Sequence, residues 1–215
     1  AVALRWKEGD AWHEWTFAEL ADRVARAAGG LRDRGVSRGD RIVLMMRNCP
    51  EFHVLDAAAL MVGATPISIY NSSAPDQVEY LVGHSGAVLG IVEDDSFLAR
   101  FEPVRDQLPN LRSLGVVHPG EKAADFTWDD LMAAEPVVLA EAAAQGDPSD
   151  LVTVIYTSGT TGPPKGVMIS NANAMFVAET TRDLLPFSDS HGKRVVSYLP
   201  MAHIAERTVS HYSQL

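Results

Sequence analysis

Residues 156–166 carry the densest set of groups that could bind an anion in this chain of 215 residues. The run reads Tyr-Thr-Ser-Gly-Thr-Thr-Gly-Pro-Pro-Lys-Gly and follows an apolar stretch at 151–155 that is typical of a buried strand. Glycines let backbone N–H groups approach an anion closely, and hydroxyls and a lysine add further donors. We therefore predict a phosphate-binding loop, with the candidate ligands Thr157, Ser158, Gly159, Thr160, Thr161, Gly162 and Lys165.

Two better-known phosphate loops do not fit this spacing. The P-loop needs a lysine between a glycine and a serine or threonine, whereas Lys165 lies between Pro164 and Gly166. The dinucleotide fingerprint needs a glycine two residues before Gly159, and that position holds Thr157. Clusters of glycine, proline and threonine also form ordinary turns. Four hydroxyls beside a lysine favour anion binding over a turn alone.

A second run, residues 198–207, places a histidine among proline, alanine and a Glu-Arg pair. It reads Tyr-Leu-Pro-Met-Ala-His-Ile-Ala-Glu-Arg and follows a predicted strand at 194–198. Open α/β sheets bind ligands beyond the ends of their strands, so His203 is a candidate functional side chain. A lone histidine is more often an ordinary surface or core residue, and the residues around His203 decide its interpretation.

The rest of the sequence alternates between strand and helix patterns. A turn at 8–10 predicts a hairpin, a capping box at 16–19 predicts a helix start, and Pro50 and Pro75 predict two more. Apolar runs predict strands at 41–46, 65–69, 88–92, 114–117, 151–155 and 194–198, with further helices at 96–108, from 126 and from 170. Apolar strands between helices predict an α/β fold of mostly parallel sheets flanked by helices. An apparent linker at 140–150 divides it into a first α/β subdomain at 1–150 and a second at 151–215 that carries the loop.

Both runs resemble signature motifs of the adenylate-forming superfamily, which includes acyl-CoA synthetases, luciferases and peptide-synthetase adenylation domains. The form Leu-Pro-x-Ala-His-Ile-x-Glu-Arg at 199–207 is most similar to long-chain fatty-acyl-CoA synthetases. The resemblance implies that ATP activates a long-chain fatty acid as an acyl-adenylate and that coenzyme A then takes the acyl group as a thioester. It implies Mg²⁺ with the ATP, a catalytic role for Lys165 and His203, and a place for His203 beside the acyl pocket.

Later motifs of that superfamily do not occur in these residues, among them Tyr-Gly-x-Thr-Glu and Thr-Gly-Asp. We therefore expect the chain to be the N-terminal portion of a larger ligase and to be inactive by itself. Three alternatives stay open at this point. They are an adenylate-forming ligase for another carboxylic acid, a non-catalytic nucleotide-binding module, and a flavodoxin-like binding domain, although flavin loops do not call for Lys165.

Composition excludes several other classes. A net charge of -10 argues against nucleic-acid binding, which requires a basic face. The seven histidines and one cysteine lack metal-binding spacing, so no metal ligands are predicted in this chain. No apolar run is long enough to span a membrane, and the single cysteine fits a reducing cytoplasm. Peripheral membrane contact and a homodimer are left open by the sequence.

Overall fold

The computed structural model describes residues 1–157, 162–184 and 194–213, with the backbone alone at 181–184. The chain begins with the antiparallel strands β1 (Val2–Glu8) and β2 (Ala11–Thr16), as the hairpin pattern predicted. Helix α1 (Phe17–Asp33) follows at the predicted capping box. The Thr16 N–H donates to Glu19 Oε2 at 2.8 Å, and the Glu19 N–H donates to Thr16 Oγ1 at 3.3 Å. These bonds satisfy N–H groups that the first helical turn leaves free.

A five-stranded parallel sheet forms the centre of residues 1–150, in the order β4-β3-β5-β6-β7. Its strands are β3 (Arg41–Met45), β4 (Thr65–Ser68), β5 (Leu89–Asp94), β6 (Ser113–His118) and β7 (Phe126–Thr127). Alternate residues of β3 point to opposite faces of the sheet and pack into two separate hydrophobic cores. Ile42 and Leu44 pack with α1 and α2 (Pro50–Met61), while Val43 and Met45 pack with α3 (Pro75–Ser85) and α4 (Asp95–Phe101). Both faces are covered by helices, which confirms the predicted α/β class.

A second, two-stranded sheet lies beside β4. Strands β8 (Leu151–Thr157) and β9 (Lys165–Ser170) pair in antiparallel register, and helix α7 (Asn171–Leu184) follows. The Thr153 hydroxyl donates to the Pro66 carbonyl at 2.8 Å, and Val154 and Tyr156 enter the same core as Val43. The hairpin that carries the predicted phosphate loop is therefore packed against the edge strand of the parallel sheet.

Two sequence predictions are wrong in detail, those at 96–108 and 194–198, and the predicted linker holds a short helix. The helix predicted at 96–108 is α4 followed by a 3₁₀ helix, Glu102–Gln107, because Pro103 lacks the N–H that continues an α-helix. The linker predicted at 140–150 contains most of a short helix, α6 (Leu139–Ala143), after α5 (Trp128–Met132). The strand predicted at 194–198 is not a strand, since no described strand pairs with it and Val196 and Tyr198 are largely exposed. After it come α8 (Ile204–Glu206) and a π-helical turn, Arg207–Tyr212.

Two features are absent from the described residues. No helix there has the length and apolar character needed to cross a membrane. No group of three or more histidine, cysteine, aspartate or glutamate side chains is arranged there to hold a metal ion.

Candidate functional site

The predicted phosphate loop connects the two strands of the β8–β9 hairpin. Thr157 is the last residue of β8 and lies opposite Lys165, the first residue of β9. Both residues are exposed, so their side chains are available to a ligand. Ser158, Gly159, Thr160 and Thr161 lie outside the described residues, and their assignment as phosphate ligands stays a prediction.

Two positions of the run require glycine, each for a different physical reason. Gly162 has a φ of +86°, a backbone conformation that other L-residues rarely adopt. Gly166 lies against the interior of the hairpin, where an added Cβ would be 2.9 Å from Val154 Cγ1 and 3.4 Å from the Tyr156 ring. The first glycine allows the loop to turn, and the second lets β9 pass close to the Tyr156 ring.

Helix α3 contacts both flanks of the loop. The Tyr80 hydroxyl donates to the Pro164 carbonyl at 2.9 Å, and the Tyr156 hydroxyl lies 2.9 Å from His84 Nδ1. Burial raises the pKa of Tyr156, so its hydroxyl keeps its proton at neutral pH and can donate to the imidazole nitrogen. Sequence reasoning missed Tyr80 and His84, although their spacing of four residues on a predicted helix places them on one face.

His203 lies at the start of α8. Its N–H donates to the Pro200 carbonyl at 2.9 Å, and its Nδ1 accepts the Ala205 N–H at 3.2 Å. The side chain thereby caps the short helix and is exposed. Because Nδ1 is used by the cap, Nε2 is the ring nitrogen left to meet a ligand.

A cavity of about 610 Å³ brings the two sequence motifs together. The phosphate-loop run contributes Thr157 and Pro164 to its wall, the second run contributes His203 and Ile204, and Tyr80 of α3 stands among the remaining lining residues. Gly162 and Lys165 are not part of this wall, although Lys165 directly follows Pro164. Small-molecule sites are concave and combine apolar walls with a few polar groups, and this cavity has that character.

A buried ion pair fixes the segment that follows His203. Arg207 is fully buried, and its guanidinium bonds to the Asp56 carboxylate of α2 and donates to Ser68 Oγ at 2.6 Å and to Tyr212 Oη at 2.8 Å. Burial alone would lower the pKa of the Arg207 guanidinium. Asp56 and Tyr212 together have the larger effect, so the pKa is raised. Arg207, the last residue of the second motif, therefore has a structural role that the sequence did not reveal. An aspartate within the apolar helix α2 was the signal that could have indicated a buried partner.

Two histidines extend this buried cluster. His211 Nε2 lies 2.9 Å from Asp56 Oδ2, and His211 Nδ1 lies 2.9 Å from His53 Nδ1. Burial, with His211 and Arg207 nearby, lowers the pKa of His53 from 6.5 to about 3, against the opposing effect of Asp56. His53 is therefore neutral at physiological pH.

The fold and the two motifs define the class of protein. A family model described as AMP-binding enzyme matches residues 1–215, and the chain belongs to that family. Among curated proteins, it is 34% identical over 200 residues to long-chain-fatty-acid–CoA ligase FadD15 of Mycobacterium bovis. That alignment covers 93% of this chain and 33% of the relative, so the chain spans about one third of the length of that relative.

Two solved structures share the fold. The anthranilate CoA ligase AuaEII, in complex with anthranoyl-AMP, superposes with a TM-score of 0.72 at 26% identity, over 78% of this chain and 32% of its own. ATP-bound MatB from Rhodopseudomonas palustris superposes with a TM-score of 0.76 at 21% identity, over 94% of this chain and 38% of its own. At that identity, the likeness to MatB concerns the fold alone.

Proposed function

We propose that this chain is part of an enzyme that uses ATP to activate a long-chain fatty acid and transfers the acyl group to coenzyme A. One observation carries the proposal: residues of the phosphate-loop run and of the histidine run line the same cavity. An acyl-activating enzyme needs a polyphosphate and a carboxylate side by side, because the reaction joins them. The family membership and the ligase relative support the same reaction class.

In this proposal the loop binds the triphosphate of ATP. Thr157, Gly162 and Lys165 would hold phosphate oxygens together with Ser158, Gly159, Thr160 and Thr161. A fatty carboxylate attacks the α-phosphorus and displaces pyrophosphate, and negative charge grows on the phosphate oxygens as that bond breaks. Fixed donors and a lysine stabilise such charge without a protein nucleophile. Mg²⁺ would be held mainly by the bound triphosphate and would neutralise part of its charge, since this ion commonly takes few protein ligands.

His203 supplies the polar group on the acyl side of the cavity. Its Nδ1 is occupied by the Ala205 N–H, so Nε2 can face the substrate carboxylate or the acyl-adenylate. The buried Arg207–Asp56 pair holds the segment that carries it. We propose His203 as a catalytic and acyl-pocket residue on this basis, with the thioester-forming half of the reaction completed by residues beyond those described.

The test is acyl-adenylate trapping with hydroxylamine, using the complete protein that contains this chain. Acids of increasing chain length, from acetate to palmitate, are supplied with ATP and Mg²⁺. We expect ATP-dependent hydroxamate that rises towards the long acids, and thioester when coenzyme A replaces hydroxylamine. No ATP-dependent product with any acid would overturn the proposed reaction. A maximum at short or aromatic acids would retain the reaction and reject the fatty-acid substrate.

A ligase for an aromatic acid is the second candidate, because the AuaEII structure shares the fold at 26% identity. The same chain-length series decides between them. We also propose that residues 1–150 and 151–215 belong to separate α/β subdomains, that the 215-residue chain alone makes no acyl-adenylate, and that the enzyme is cytoplasmic. Trapping assays on the isolated chain test its inactivity directly.

A further inference from the structure

Helix α3 holds the phosphate loop at both of its flanks. Tyr80 and His84 are one helical turn apart on α3, and their rings stack with centroids 5.3 Å apart at an angle of 26°. Tyr80 bonds to Pro164, near the end of the loop, and His84 bonds to Tyr156, just before its start. A single helix face thus contacts both flanks of a loop whose ends are already paired by β8 and β9.

The bond to Pro164 fixes the backbone immediately before Lys165. A proline has no N–H, so its carbonyl is the only backbone hydrogen-bonding group that this residue can offer. The Tyr80 hydroxyl donates to that carbonyl at 2.9 Å, and the Tyr80 side chain is itself half-buried. The Pro164 carbonyl and the Lys165 N–H belong to one planar peptide unit, so the direction of that carbonyl also sets the direction of the Lys165 N–H.

The bond to Tyr156 fixes the other flank. The Tyr156 ring is 9% exposed, packs below Gly166, and meets the His84 ring edge-on with centroids 5.7 Å apart. Tyr80, His84 and Tyr156 therefore form a continuous row of three rings, and both tyrosines also line the cavity. A row with this contact pattern resists independent movement of the two ends of the loop.

We infer that Tyr80 and His84 are positioning residues that hold the two flanks of the phosphate loop, at Pro164 and Tyr156, and so determine affinity for the triphosphate rather than for the acid. This inference rests on the proposed function. The two residues act through Pro164 and Tyr156, and neither is assigned a chemical step. Removing either bond should loosen the flank that it holds and leave the wall of the cavity formed by His203 and Ile204 in place.

The experiment compares conservative variants of the complete protein. Tyr80→Phe removes one hydroxyl and keeps the ring, and one hydrogen bond of this kind corresponds to about a 2- to 10-fold change. We expect the KM for ATP to rise by up to that factor while the KM for the fatty acid stays unchanged, and the loss of one partly buried hydrogen bond should lower the melting temperature only slightly. His84→Leu should raise the KM for ATP similarly, and His84→Asn, which can place an acceptor near Nδ1, should restore it. Glu79→Gln, on the exposed face of α3, is the matched control and should change nothing.

Amide hydrogen exchange provides a readout that does not require activity. Peptides covering 156–166 should exchange faster in Tyr80→Phe and His84→Leu than in the wild type, with the rest of the chain unchanged. Unchanged ATP KM and unchanged exchange in both variants would overturn the inference, as would equal losses for ATP and acid that follow the melting temperature. If the wild-type protein shows no ATP-dependent reaction, the proposed function fails, and hydrogen exchange still decides whether α3 holds the loop.

Discussion

Lys165 offers a positive charge at the proposed phosphate site. Its side chain is exposed and makes no hydrogen bond or ion pair within the part of the chain that the structure describes. These 215 residues have a net charge of -10, which repels a polyphosphate at long range. At the proposed phosphate site, a local cation would offset that repulsion.

Replacing Lys165 by alanine should damage catalysis and leave the fold intact. A charge-assisted hydrogen bond contributes about 1.5–3 kcal/mol, so kcat/KM for ATP should fall about 10- to 150-fold. The melting temperature should not change, because no described residue depends on this side chain. Steady-state kinetics with palmitate and ATP measure the effect in the complete protein.

Lys7→Ala is the matched control for Lys165→Ala. Lys7 lies on β1 with an exposed side chain 3.7 Å from Asp10, in a part of the molecule away from the loop. Its loss should leave kcat/KM unchanged. Equal activity of Lys165→Ala and the wild type would remove the phosphate-binding role of this lysine.

Glycine favours folding at one position of the hairpin and disfavours it at one position of helix α3, which contacts that hairpin. Gly166 on β9 has no space for a Cβ, since Val154 Cγ1 would be 2.9 Å away. Gly83 on α3 meets nothing within 4 Å and has no positive φ. A side chain therefore strains the hairpin, whereas in the helix it reduces the conformational entropy that the unfolded chain loses on folding.

Alanine at these two positions should change stability in opposite directions. We expect Gly166→Ala to destabilise by about 1–3 kcal/mol, because the Tyr156 ring or Val154 must move. Gly83→Ala should stabilise by about 0.5–1 kcal/mol, the usual gain within a helix. Urea unfolding of the two variants measures both values. A stabilised Gly166→Ala variant would contradict the close packing of β9 on Tyr156.

The Arg207–Asp56 pair joins the segment after His203 to helix α2. Both side chains are completely buried, so each charge depends on the other for compensation. Removing one member of a buried pair leaves an uncompensated charge, which costs about 3–5 kcal/mol. Replacing both members by apolar residues avoids that penalty.

Arg207→Met should therefore destabilise the protein by about 3–5 kcal/mol, and Asp56→Leu with Arg207→Met should recover most of that loss. The exposed pair Arg5–Glu14, at 2.5 Å, is the control, and Arg5→Met should cost less than about 1 kcal/mol. Denaturant midpoints for the four proteins, wild type included, form the comparison. A double variant as unstable as the single one would show that the bonds of Arg207 to Ser68 and Tyr212 matter more than its ion pair.

At the scale of the whole molecule, short-range patterns predicted the fold and long-range contacts determine the site. The Thr16–Glu19 cap and the apolar strand β3 are encoded within a few residues, and the structure confirms both. The Tyr80–Pro164 bond joins positions 84 residues apart, and the Arg207–Asp56 pair joins positions 151 apart. No local periodicity encodes such contacts. The strand predicted at 194–198 failed for the related reason that strand formation requires a neighbouring strand, which an apolar run alone does not reveal.

The stability of the fold at acid pH depends on His53, because folding lowers the pKa of this side chain and so disfavours its protonated form. The folded pKa of His53 is about 3 and its ordinary value is 6.5, with Asp56, Arg207 and His211 as the surrounding groups. Between these values the unfolded chain binds the proton and the folded chain does not, so stability rises with pH in this window. As pH falls from 6.5, stability should decrease by up to about 1.4 kcal/mol per pH unit from this group.

Urea unfolding at pH 6.5 and pH 4.5 measures that slope before most carboxylates titrate. His53→Asn, which can keep a hydrogen bond near Nδ1 but cannot be protonated, should show a smaller decrease than the wild type between the two pH values. His118→Gln, at an exposed histidine on the end of β6, should retain the wild-type decrease. An identical decrease in His53→Asn would show that another group is responsible for the acid sensitivity, and that His53 is not held neutral by its burial between α2, on which it lies, and the turn that carries His211.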